Sequence, residues 1–368
     1  MHKFNVWFSF MFIIILSLNY SGVLNASTQG KIDHINRKIS LLIDHKEWEG
    51  FKLRYSKKYS CKDEESYRKS VYFKNKAKIA RLNEKNRAQI GENAFGINKF
   101  TDLEEKEFMA LYLTPNMVKY MAKIGNIKPA DFRASIAQLP SSFNWEDQGA
   151  ITPLKDQGQC GSCWAFSATE MVESMAFLVT GTLPILSAQQ IVSCDRNDDG
   201  CDGGLPSSAF DYIHKYGQEA DSTYPYTSGS DGYSGKCTYK ASEVAAHISG
   251  WQYIIPQCSN HSCSNQVNYE PKLQNYIANT GPASIAVNAS SWQFYTGGIV
   301  AAANCSGTMY SLNHAVQLIG YDVSGSIKYW VVRNQWGDWG ENGNIRLAMG
   351  DNTCGMANVV TTPTGVSL

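Results

Sequence analysis

Residues 157–167 constrain this chain more than any other stretch, and they read Gln-Gly-Gln-Cys-Gly-Ser-Cys-Trp-Ala-Phe-Ser. Cys163 follows a Gly-Ser turn and precedes apolar residues with helical spacing at positions 164, 165, 168, 171, 172, 175 and 176. Ser162 is suited to cap that helix, which puts Cys163 in its first turn. There the unpaired N–H groups and the helix dipole favour a negative charge, so we expect a thiolate to be accessible near neutral pH or below.

The other cysteine of this stretch, Cys160, admits two alternative interpretations. A Cys-x-x-Cys pair in a cytosolic chain would indicate a redox pair or half of a zinc site. However, no second Cys-x-x-Cys follows, and the residues before Cys160 are typical of turns rather than of a strand end. We interpret Cys160 as structural and Cys163 as the reactive thiol. Residues 139–368 contain nine cysteines, so at least one thiol is left over if the others pair.

The motif Cys160-Gly-Ser-Cys163-Trp resembles the active-site signature of the papain and cathepsin cysteine proteases. That resemblance implies a His and an Asn downstream, and the candidates are His314 and Asn334, which lie 151 and 171 residues after Cys163. In this family the His exchanges a proton with the thiol and with the leaving amine, and the Asn orients the imidazole ring. Gln157, six residues before Cys163, matches the family's oxyanion-hole glutamine.

The resemblance also implies substrate-binding positions. Gly203 and Gly204 would form the cleft edge where a substrate backbone pairs, and Asn313 would lie beside the catalytic His. Trp336 would shield the His–Asn hydrogen bond, although a core tryptophan is an equally simple interpretation, and both can hold. The family's S2 pocket maps onto Leu205, Pro206, Ala286, Leu312, Ala315 and Val359. Because these residues are apolar and no Glu stands at position 359, we expect bulky hydrophobic P2 residues to be preferred over Arg. Gln335 departs from the family, which usually has Ser there.

A helical pattern precedes the catalytic motifs. Its positions recur at intervals of four, four, three, four and four, and they are Glu64, Arg68, Tyr72, Asn75, Ile79 and Asn83. Spacing alone indicates an amphipathic helix. The residue types resemble the ERFNIN helix of cathepsin L-type propeptides, with Tyr72 where that family has Phe or Trp. Residues 96–102 resemble the second propeptide motif, Gly-x-Asn-x-Phe-x-Asp, and their alternation predicts a short strand. The two motifs together imply an inhibitory prodomain whose tail runs through the active-site cleft.

The amino terminus has Lys3 followed by an apolar run of 13 residues, 6–18, and then small residues up to Ala26. This is typical of a secretory signal peptide and is too short for a comfortable membrane span, which is the alternative. We predict a signal peptide at 1–26, an inhibitory propeptide domain at 27–138 and a mature peptidase domain at 139–368. We also expect a lysosomal, vacuolar or extracellular destination, with no membrane anchor.

The two predicted domains carry opposite charge. Residues 27–138 hold 23 Lys and Arg against 14 Asp and Glu, a net charge of +9, and residues 139–368 hold 9 against 19, a net charge of −10. A basic arm for nucleic acid is the alternative, but the charges are interleaved with an apolar helical pattern rather than clustered. We therefore expect the two domains to dock on one another through complementary charge, and we expect no nucleic-acid partner.

The resemblance implies the disulfides Cys160–Cys201, Cys194–Cys237 and Cys305–Cys354. Cys258 and Cys263 fall in an insertion at 256–270 and are expected to pair locally. His261 between them is interpreted as a solvated loop residue, so no metal and no cofactor are expected, and Cys61 has no assigned role. Asn-x-Ser sequons, which are plausible glycosylation sites, begin at Asn260, Asn288 and Asn304.

The order of the patterns predicts the fold class. Helical patterns come first, at 31–60, at 64–83, after Cys163, near 186–190 and at 207–216. Strand-like runs follow at 283–287, 315–321, 329–333 and 344–347. By resemblance this is an α+β, papain-like two-lobe fold: a helical lobe, an antiparallel β-barrel-like lobe and a cleft between them, preceded by a mainly helical prodomain.

The implied function is that of a cysteine endopeptidase made as an autoinhibited zymogen. Its partners would be protein and peptide substrates, its own propeptide as an intramolecular inhibitor, and cystatin-type inhibitors. The insertion at 256–270 does not resemble the occluding loop of cathepsin B, which favours endopeptidase activity. The alternatives are an exopeptidase or transamidase of the same family, or a catalytically silent binding homologue.

Overall fold

The computed structural model describes residues 26–115, 117–121, 139–259 and 262–368. The predicted signal peptide up to residue 25, residues 122–138 at the end of the predicted propeptide domain, Asn260 and His261 lie outside the described residues. The chain divides into two compact units, with the boundary between Ser66 and Tyr67. Among the helices that the structure describes, none combines the length and apolar character needed to cross a bilayer.

The first unit contains helix α1 (Ala26–Arg54) and the start of helix α2 (Lys62–Ile90). Trp48 is buried in this unit and stacks on Phe51 and Tyr59, with ring centroids 5.5 Å and 5.7 Å apart. The predicted helix at 31–60 ends earlier than expected, because the chain turns at Ser56, whose φ of +51° is left-handed.

The second unit contains the rest of α2 together with α3 (Glu105–Tyr112) and the short α4 (Val118–Met121). The strand predicted at 96–102 is wrong, since these residues form turns. The Asn98 side chain explains the difference, because its Oδ1 accepts from the Phe100 N–H at 2.9 Å while its backbone carbonyl accepts from the Thr101 N–H at 3.0 Å. Such local side-chain bonds compete with strand pairing.

The helices after residue 139 are α5 (Cys163–Thr180), α6 (Ala188–Cys194), α7 (Pro206–Tyr216) and α8 (Glu270–Asn279). The predicted apolar stripe of α5 is buried against α6 and α7 in one cluster that includes Trp164, Ile191 and Phe210. Ser187 caps α6, accepting the Gln190 N–H at 3.0 Å. Helices α5, α6 and α7 form the helical lobe, whereas α8 packs on the sheet through Leu273, Tyr276 and Ile277.

The strands of the described residues are β1 (Ser142–Asn144), β2 (Gln218–Glu219), β3 (Val244–Ala246), β4 (Gly250–Tyr253), β5 (Ala283–Val287), β6 (Ile299–Val300), β7 (His314–Asp322), β8 (Tyr329–Arg333), β9 (Asn344–Ala348) and β10 (Val360–Thr364). β2 and β3 pair with each other. The other eight form one sheet in the order β4-β10-β5-β7-β8-β9-β6, with β1 added to β7. Short 3-10 helices occur at Gly200–Asp202, Ala241–Glu243, Ser264–Tyr269, Trp292–Phe294, Ala302–Asn304, Met309–Ser311 and Thr353–Gly355.

The sheet corrects one detail of the predicted fold. Its pairs are antiparallel except for β6 and β9, which run parallel, and within the described residues the sheet is open rather than closed as a barrel. The reason is that β4 and β6 end the ladder at opposite edges without pairing with each other. Helix α5 packs on β7, so the first residues of both elements, Cys163 and His314, lie at the junction of helix and sheet.

Four disulfides fasten the chain after residue 139; three join the pairs that the resemblance implies, and the fourth is the local pair expected in the insertion. They are Cys160–Cys201, Cys194–Cys237, Cys258–Cys263 and Cys305–Cys354. Cys163 and the exposed Cys61 remain as thiols.

Candidate active site

Cys163 begins α5 and is completely buried, with its Sγ 3.5 Å from the hydroxyl of Thr114. Ser162 precedes the helix, but the prediction that its side chain caps α5 is wrong. Its φ and ψ of −96° and 14° depart from the extended conformation that capping requires, and its hydroxyl bonds to the Tyr226 hydroxyl at 2.8 Å instead. Cys163 therefore lies in the first turn of α5 although the Ser162 side chain does not cap the helix.

The expectation of a readily ionised thiol does not hold in this covered state. Burial raises the pKa of the Cys163 thiol, and this effect outweighs hydrogen bonds from Thr114 and from the backbone N–H of Ala315, which lower it. Removing water from around a thiolate costs more free energy than the first turn of the helix provides by stabilising the negative charge.

His314, the first residue of β7, is held by Asn334. The His314 Nε2 and the Asn334 Oδ1 are 2.8 Å apart, and the same oxygen accepts the backbone N–H of Gln335 at 2.9 Å. Because that oxygen is an acceptor, Nε2 must carry the proton, and Nδ1 keeps a free lone pair. Nδ1 is buried and makes no hydrogen bond to the described residues. Burial lowers the pKa of His314 to about 4, opposed by its bond to Asn334.

Trp336 lies against the imidazole and connects it to Gln157. The Trp336 and His314 rings stack with centroids 4.8 Å apart, and the Trp336 Nε1 donates to the Gln157 Oε1 at 3.1 Å. Trp336 is fully buried in the core that surrounds the sheet. Both interpretations offered for Trp336, a shield for the His–Asn bond and a core tryptophan, are compatible with this position.

The Gln157 side chain binds a carbonyl of the prodomain. Its Nε2 donates to the Cys160 carbonyl at 2.8 Å and to the Tyr112 carbonyl at 3.2 Å. Tyr112 ends α3, two residues before Thr114. The prodomain therefore supplies a peptide carbonyl to the amide that the sequence marks as an oxyanion donor.

Thr114 then crosses the cleft in close contact with both of its walls. Its N–H donates to the Asn313 carbonyl at 2.7 Å. On the other wall Gly203 has a φ of +122°, and a Cβ built there would lie 2.3 Å from the Thr114 Cγ2. A Cβ at Gly204 would lie 2.6 Å from the Trp164 ring. Both positions thus require glycine, one because the prodomain passes and one because the helix packs closely.

Most of the predicted S2 residues meet in one buried apolar cluster beside Cys163. From the mature domain it includes Leu205, Ala286, Leu312, Ala315 and Val359, and from the prodomain Met117 and Tyr120. Pro206 is buried as the first residue of α7. The disulfide of the insertion, Cys258–Cys263, belongs to the same cluster, which the sequence did not indicate.

The prodomain docks mainly through amide side chains on backbone groups and through aromatic contacts. The Asn98 Nδ2 donates to the carbonyls of Gln293 and Tyr295 at 2.8 Å and 3.1 Å, and the Asn86 Nδ2 donates to the Ile299 carbonyl at 2.9 Å. Phe100 and Phe108 lie edge-on to Trp336 at 5.8 Å and 5.3 Å. The charge complementarity that we expected is represented by the exposed pair Lys119–Asp199, at 3.0 Å.

Sequence reasoning missed three polar residues of this region: Thr114, Asn86 and Gln335. Asn86 lies three residues after Asn83, so the helical spacing of the motif could have indicated it. Thr114 lies in a weakly patterned segment that gave no signal. Gln335 was noticed only as a departure from the family, and a single sequence could not show what its amide contacts.

The known proteins that are similar to this chain include cysteine proteases of the papain family, and the similarity extends over most of the chain. The sequence profile of the Papain family cysteine protease matches residues 139–364, and that of the Cathepsin propeptide inhibitor domain (I29) matches residues 48–108. Cysteine proteinase 2 of Leishmania pifanoi is 39% identical over 316 residues, which cover 83% of this chain and 66% of that protein, so the chain spans just under two thirds of that relative. Cysteine proteinase 1 of Dictyostelium discoideum is 36% identical over 331 residues, covering 85% of this chain and 90% of that protein.

A solved structure agrees with these relatives. Digestive procathepsin L2 proteinase from the larval midgut of Tenebrio molitor matches with a TM-score of 0.74 and 33% identity, covering 88% of this chain and all of that one. The papain-family match alone extends over more than half of the chain. The chain therefore belongs to the papain family of cysteine proteases and carries a cathepsin-type propeptide inhibitor domain.

Proposed function

We propose that this chain is the zymogen of a cysteine endopeptidase in which Cys163 is the nucleophile, His314 the acid–base and Asn334 the residue that orients the imidazole. The observation that carries the proposal is the position of the prodomain. Its Tyr112 carbonyl lies on the Gln157 amide, and its Thr114 hydroxyl lies on the Cys163 Sγ, so the prodomain occupies both the proposed oxyanion donor and the proposed nucleophile.

In this mechanism the His314 Nδ1 takes the proton of Cys163, and the thiolate attacks the carbonyl carbon of the substrate. The Gln157 amide and the backbone N–H of Cys163 stabilise the resulting oxyanion. The imidazolium then protonates the leaving amine, which leaves an acyl-enzyme for water to hydrolyse. Asn334 keeps the Nε2 proton in place, so Nδ1 remains the nitrogen that exchanges the proton.

Substrate selection follows from the cluster beside Cys163. Leu205, Ala286, Leu312, Ala315 and Val359 would form an S2 pocket that accepts a large apolar P2 side chain, and Met117 of the prodomain belongs to that cluster in the zymogen. A buried apolar surface does not repay the desolvation of a guanidinium. A peptide panel in which Arg at P2 is cleaved faster than Leu would refute the pocket assignment.

The four disulfides support the proposal that the protein matures in the secretory pathway, since such bonds persist in oxidising compartments. We propose that the mature chain begins near Leu139, and that the enzyme acts in a lysosome or vacuole or is exported. Cystatin-type inhibitors would be natural partners of the open cleft.

The test is mass spectrometry of the processed protein after reaction with an epoxide that inactivates thiol proteases. Labelling at Cys163, lost in Cys163→Ala together with peptide hydrolysis, is the expected result. Cleavage of peptides blocked at both ends separates endopeptidase from exopeptidase activity. A Cys163→Ala protein that still hydrolyses peptides would rule out the mechanism.

A further inference from the structure

Gln335 occupies a position where one side chain contacts both partners of the proposed catalytic pair. It is completely buried, and its Nε2 donates to the Ala315 carbonyl at 2.9 Å and to the Cys163 carbonyl at 3.3 Å. Ala315 follows His314 in β7, and Cys163 begins α5. The amide therefore connects the helix that carries the thiol to the strand that carries the imidazole.

The backbone of Gln335 connects the remaining polar residues of the site. Its N–H donates to the Asn334 Oδ1 at 2.9 Å, and its carbonyl accepts the Gln157 N–H at 2.9 Å. One residue thus contacts the element or side chain of each of the four residues proposed to act in catalysis. All of these contacts lie after residue 139, so they do not depend on the prodomain.

The chemistry of the amide explains why the residue type matters. Both partners of Nε2 are carbonyl oxygens, so only an N–H₂ group, with its two donors, satisfies both, and the orientation of the amide is fixed. Serine, the usual residue of the family here, has a single hydroxyl donor on a side chain two atoms shorter than that of glutamine. This chain therefore has a connection between helix and strand that serine cannot reproduce.

We propose that Gln335 is a positioning residue whose amide holds α5 against β7, so that Cys163 and His314 can come within proton-transfer reach in the processed enzyme. The inference rests on the proposed Cys163–His314 mechanism. Among the described residues, the Gln335 amide bonds to the two backbone carbonyls rather than to the Sγ or the imidazole ring. Small displacements of reacting groups are costly, because proton transfer requires hydrogen-bond reach between them.

The chain offers a matched control in Gln218. This glutamine is also completely buried, and its Nε2 also donates to two acceptors, the Thr169 hydroxyl at 2.8 Å and the Ser187 carbonyl at 3.1 Å. Its Oε1, like that of Gln335, has no partner among the described residues. Gln218 lies in β2 and contacts none of the proposed catalytic residues, so Gln218→Met measures the cost of losing such an amide in general.

The experiment compares processed wild-type, Gln335→Met and Gln218→Met enzymes. For Gln335→Met we expect kcat to fall on the order of tenfold with KM nearly unchanged. We also expect the acidic limb of the pH profile for iodoacetamide alkylation of Cys163 to move up by about half a pH unit or more, because the thiolate–imidazolium pair forms less readily. Gln218→Met should keep the wild-type kcat and profile, whatever its effect on the melting temperature.

Two further variants keep the test decisive. Gln335→Glu preserves the shape of the side chain and removes the N–H₂ donors, so it should lose at least as much kcat as Gln335→Met. Gln335→Ser, a residue that the family accepts, carries the comparison if Gln335→Met does not fold. The inference is overturned if these variants keep the wild-type kcat and alkylation profile, or if Gln218→Met changes both equally. Failure of the mechanism itself would look different, since wild-type activity would then survive Cys163→Ala.

Discussion

Two buried titratable centres lie along α5, and they differ in what covers them. The reactive centre, Cys163 and His314, is covered by prodomain residues such as Tyr112 and Thr114. The carboxylate centre consists of Glu170, Glu173, Lys155 and Arg333, all of which lie after residue 139. In both centres burial disfavours a charged form, and the first centre has the prodomain residue Thr114 against its thiol.

The two carboxylates of this centre have different hydrogen-bonding surroundings. Glu173 accepts hydrogen bonds from Thr152, Lys155 and the Leu186 N–H, at 2.7, 2.6 and 2.8 Å. Glu170 lies 3.7 Å from Arg333 and has no hydrogen bond from the described residues, because the Arg333 guanidinium is engaged by Thr152, Pro153 and Gln317. Burial raises the pKa of Glu170 to about 7, against the lowering effects of Arg333 and Lys155. We therefore expect the pH response of Cys163 reactivity to depend on the prodomain, and Glu170 to contribute a pH response of stability.

The largest effect should come from uncovering the reactive centre. Burial raises the pKa of Cys163 and lowers that of His314, so the covered pair is neutral. Because only the thiolate reacts and the prodomain covers the thiol, we expect iodoacetamide at pH 6 to alkylate Cys163 on the order of a thousandfold faster in processed enzyme than in zymogen.

This measurement requires the Cys61→Ser background. Cys61 is exposed, and hydrogen bonds from the Glu64 N–H and from Ser60 lower its pKa, so it would react in the zymogen. Equal rates at Cys163 before and after processing would show that the prodomain does not control the reactive centre.

The next effect concerns Glu170, whose pKa in the folded state, about 7, exceeds its ordinary value of 4.5. The folded protein binds this proton more tightly than the unfolded chain, so stability is lost as pH rises from about 4.5 to 7. Glu170→Gln should abolish that component and gain about 3 kcal/mol at pH 7.5 relative to wild type, with little difference at pH 4.5. Urea unfolding of the Cys163→Ala zymogen across this pH range measures it.

Glu173→Gln is the matched control on the same helix. Its carboxylate is fully hydrogen-bonded, including to the Lys155 ammonium, so its replacement should destabilise the protein at neutral pH. The comparison fails if Glu170→Gln and Glu173→Gln shift stability in the same direction at pH 7.5.

The third prediction concerns the contacts that hold the prodomain over Cys163 rather than the buried titratable groups. Asn98→Ala removes two hydrogen bonds to mature-domain carbonyls, which should weaken docking by about 2 kcal/mol. Alkylation of Cys163 in the zymogen at pH 6 should then rise by roughly thirtyfold, because transient opening becomes more frequent. Asn93→Ala provides the control, since Asn93 is exposed and its side chain, among the described residues, accepts from Arg87 of the prodomain. A rate unchanged by Asn98→Ala would mean that opening does not limit access.

Part of the fold and of the candidate site can be predicted from the sequence. The motifs around Cys163, His314 and Asn334 are long enough to mark these residues as catalytic candidates, and the apolar runs at 283–287 and 329–333 coincide with β5 and β8. The errors at Ser162 and at 96–102 arise from side chains that bond to unforeseen partners. The local helix pattern indicates an accessible thiolate, whereas in the zymogen burial raises the pKa of Cys163. Long-range burial is a property of the fold, so no window of sequence contains it.

The smallest effect should come from salt. Several basic side chains of the prodomain pair with acidic residues within it: Arg68 bonds to Glu107 at 2.7 Å, Lys74 to Glu104 at 2.9 Å and Lys78 to Glu105 at 2.8 Å. Among the described residues, the ion pair Lys119–Asp199 joins the prodomain to the mature domain; it is about half exposed on each side and contributes at most about 1 kcal/mol.

Raising salt from about 0.05 M to about 0.5 M should therefore increase alkylation of Cys163 in the zymogen at neutral pH by no more than about threefold. Lys119→Ala should reproduce this increase at low salt and then show little further response to salt. An increase as large as that of Asn98→Ala would mean that net charge, rather than amide and aromatic contacts, holds the cover on the reactive centre.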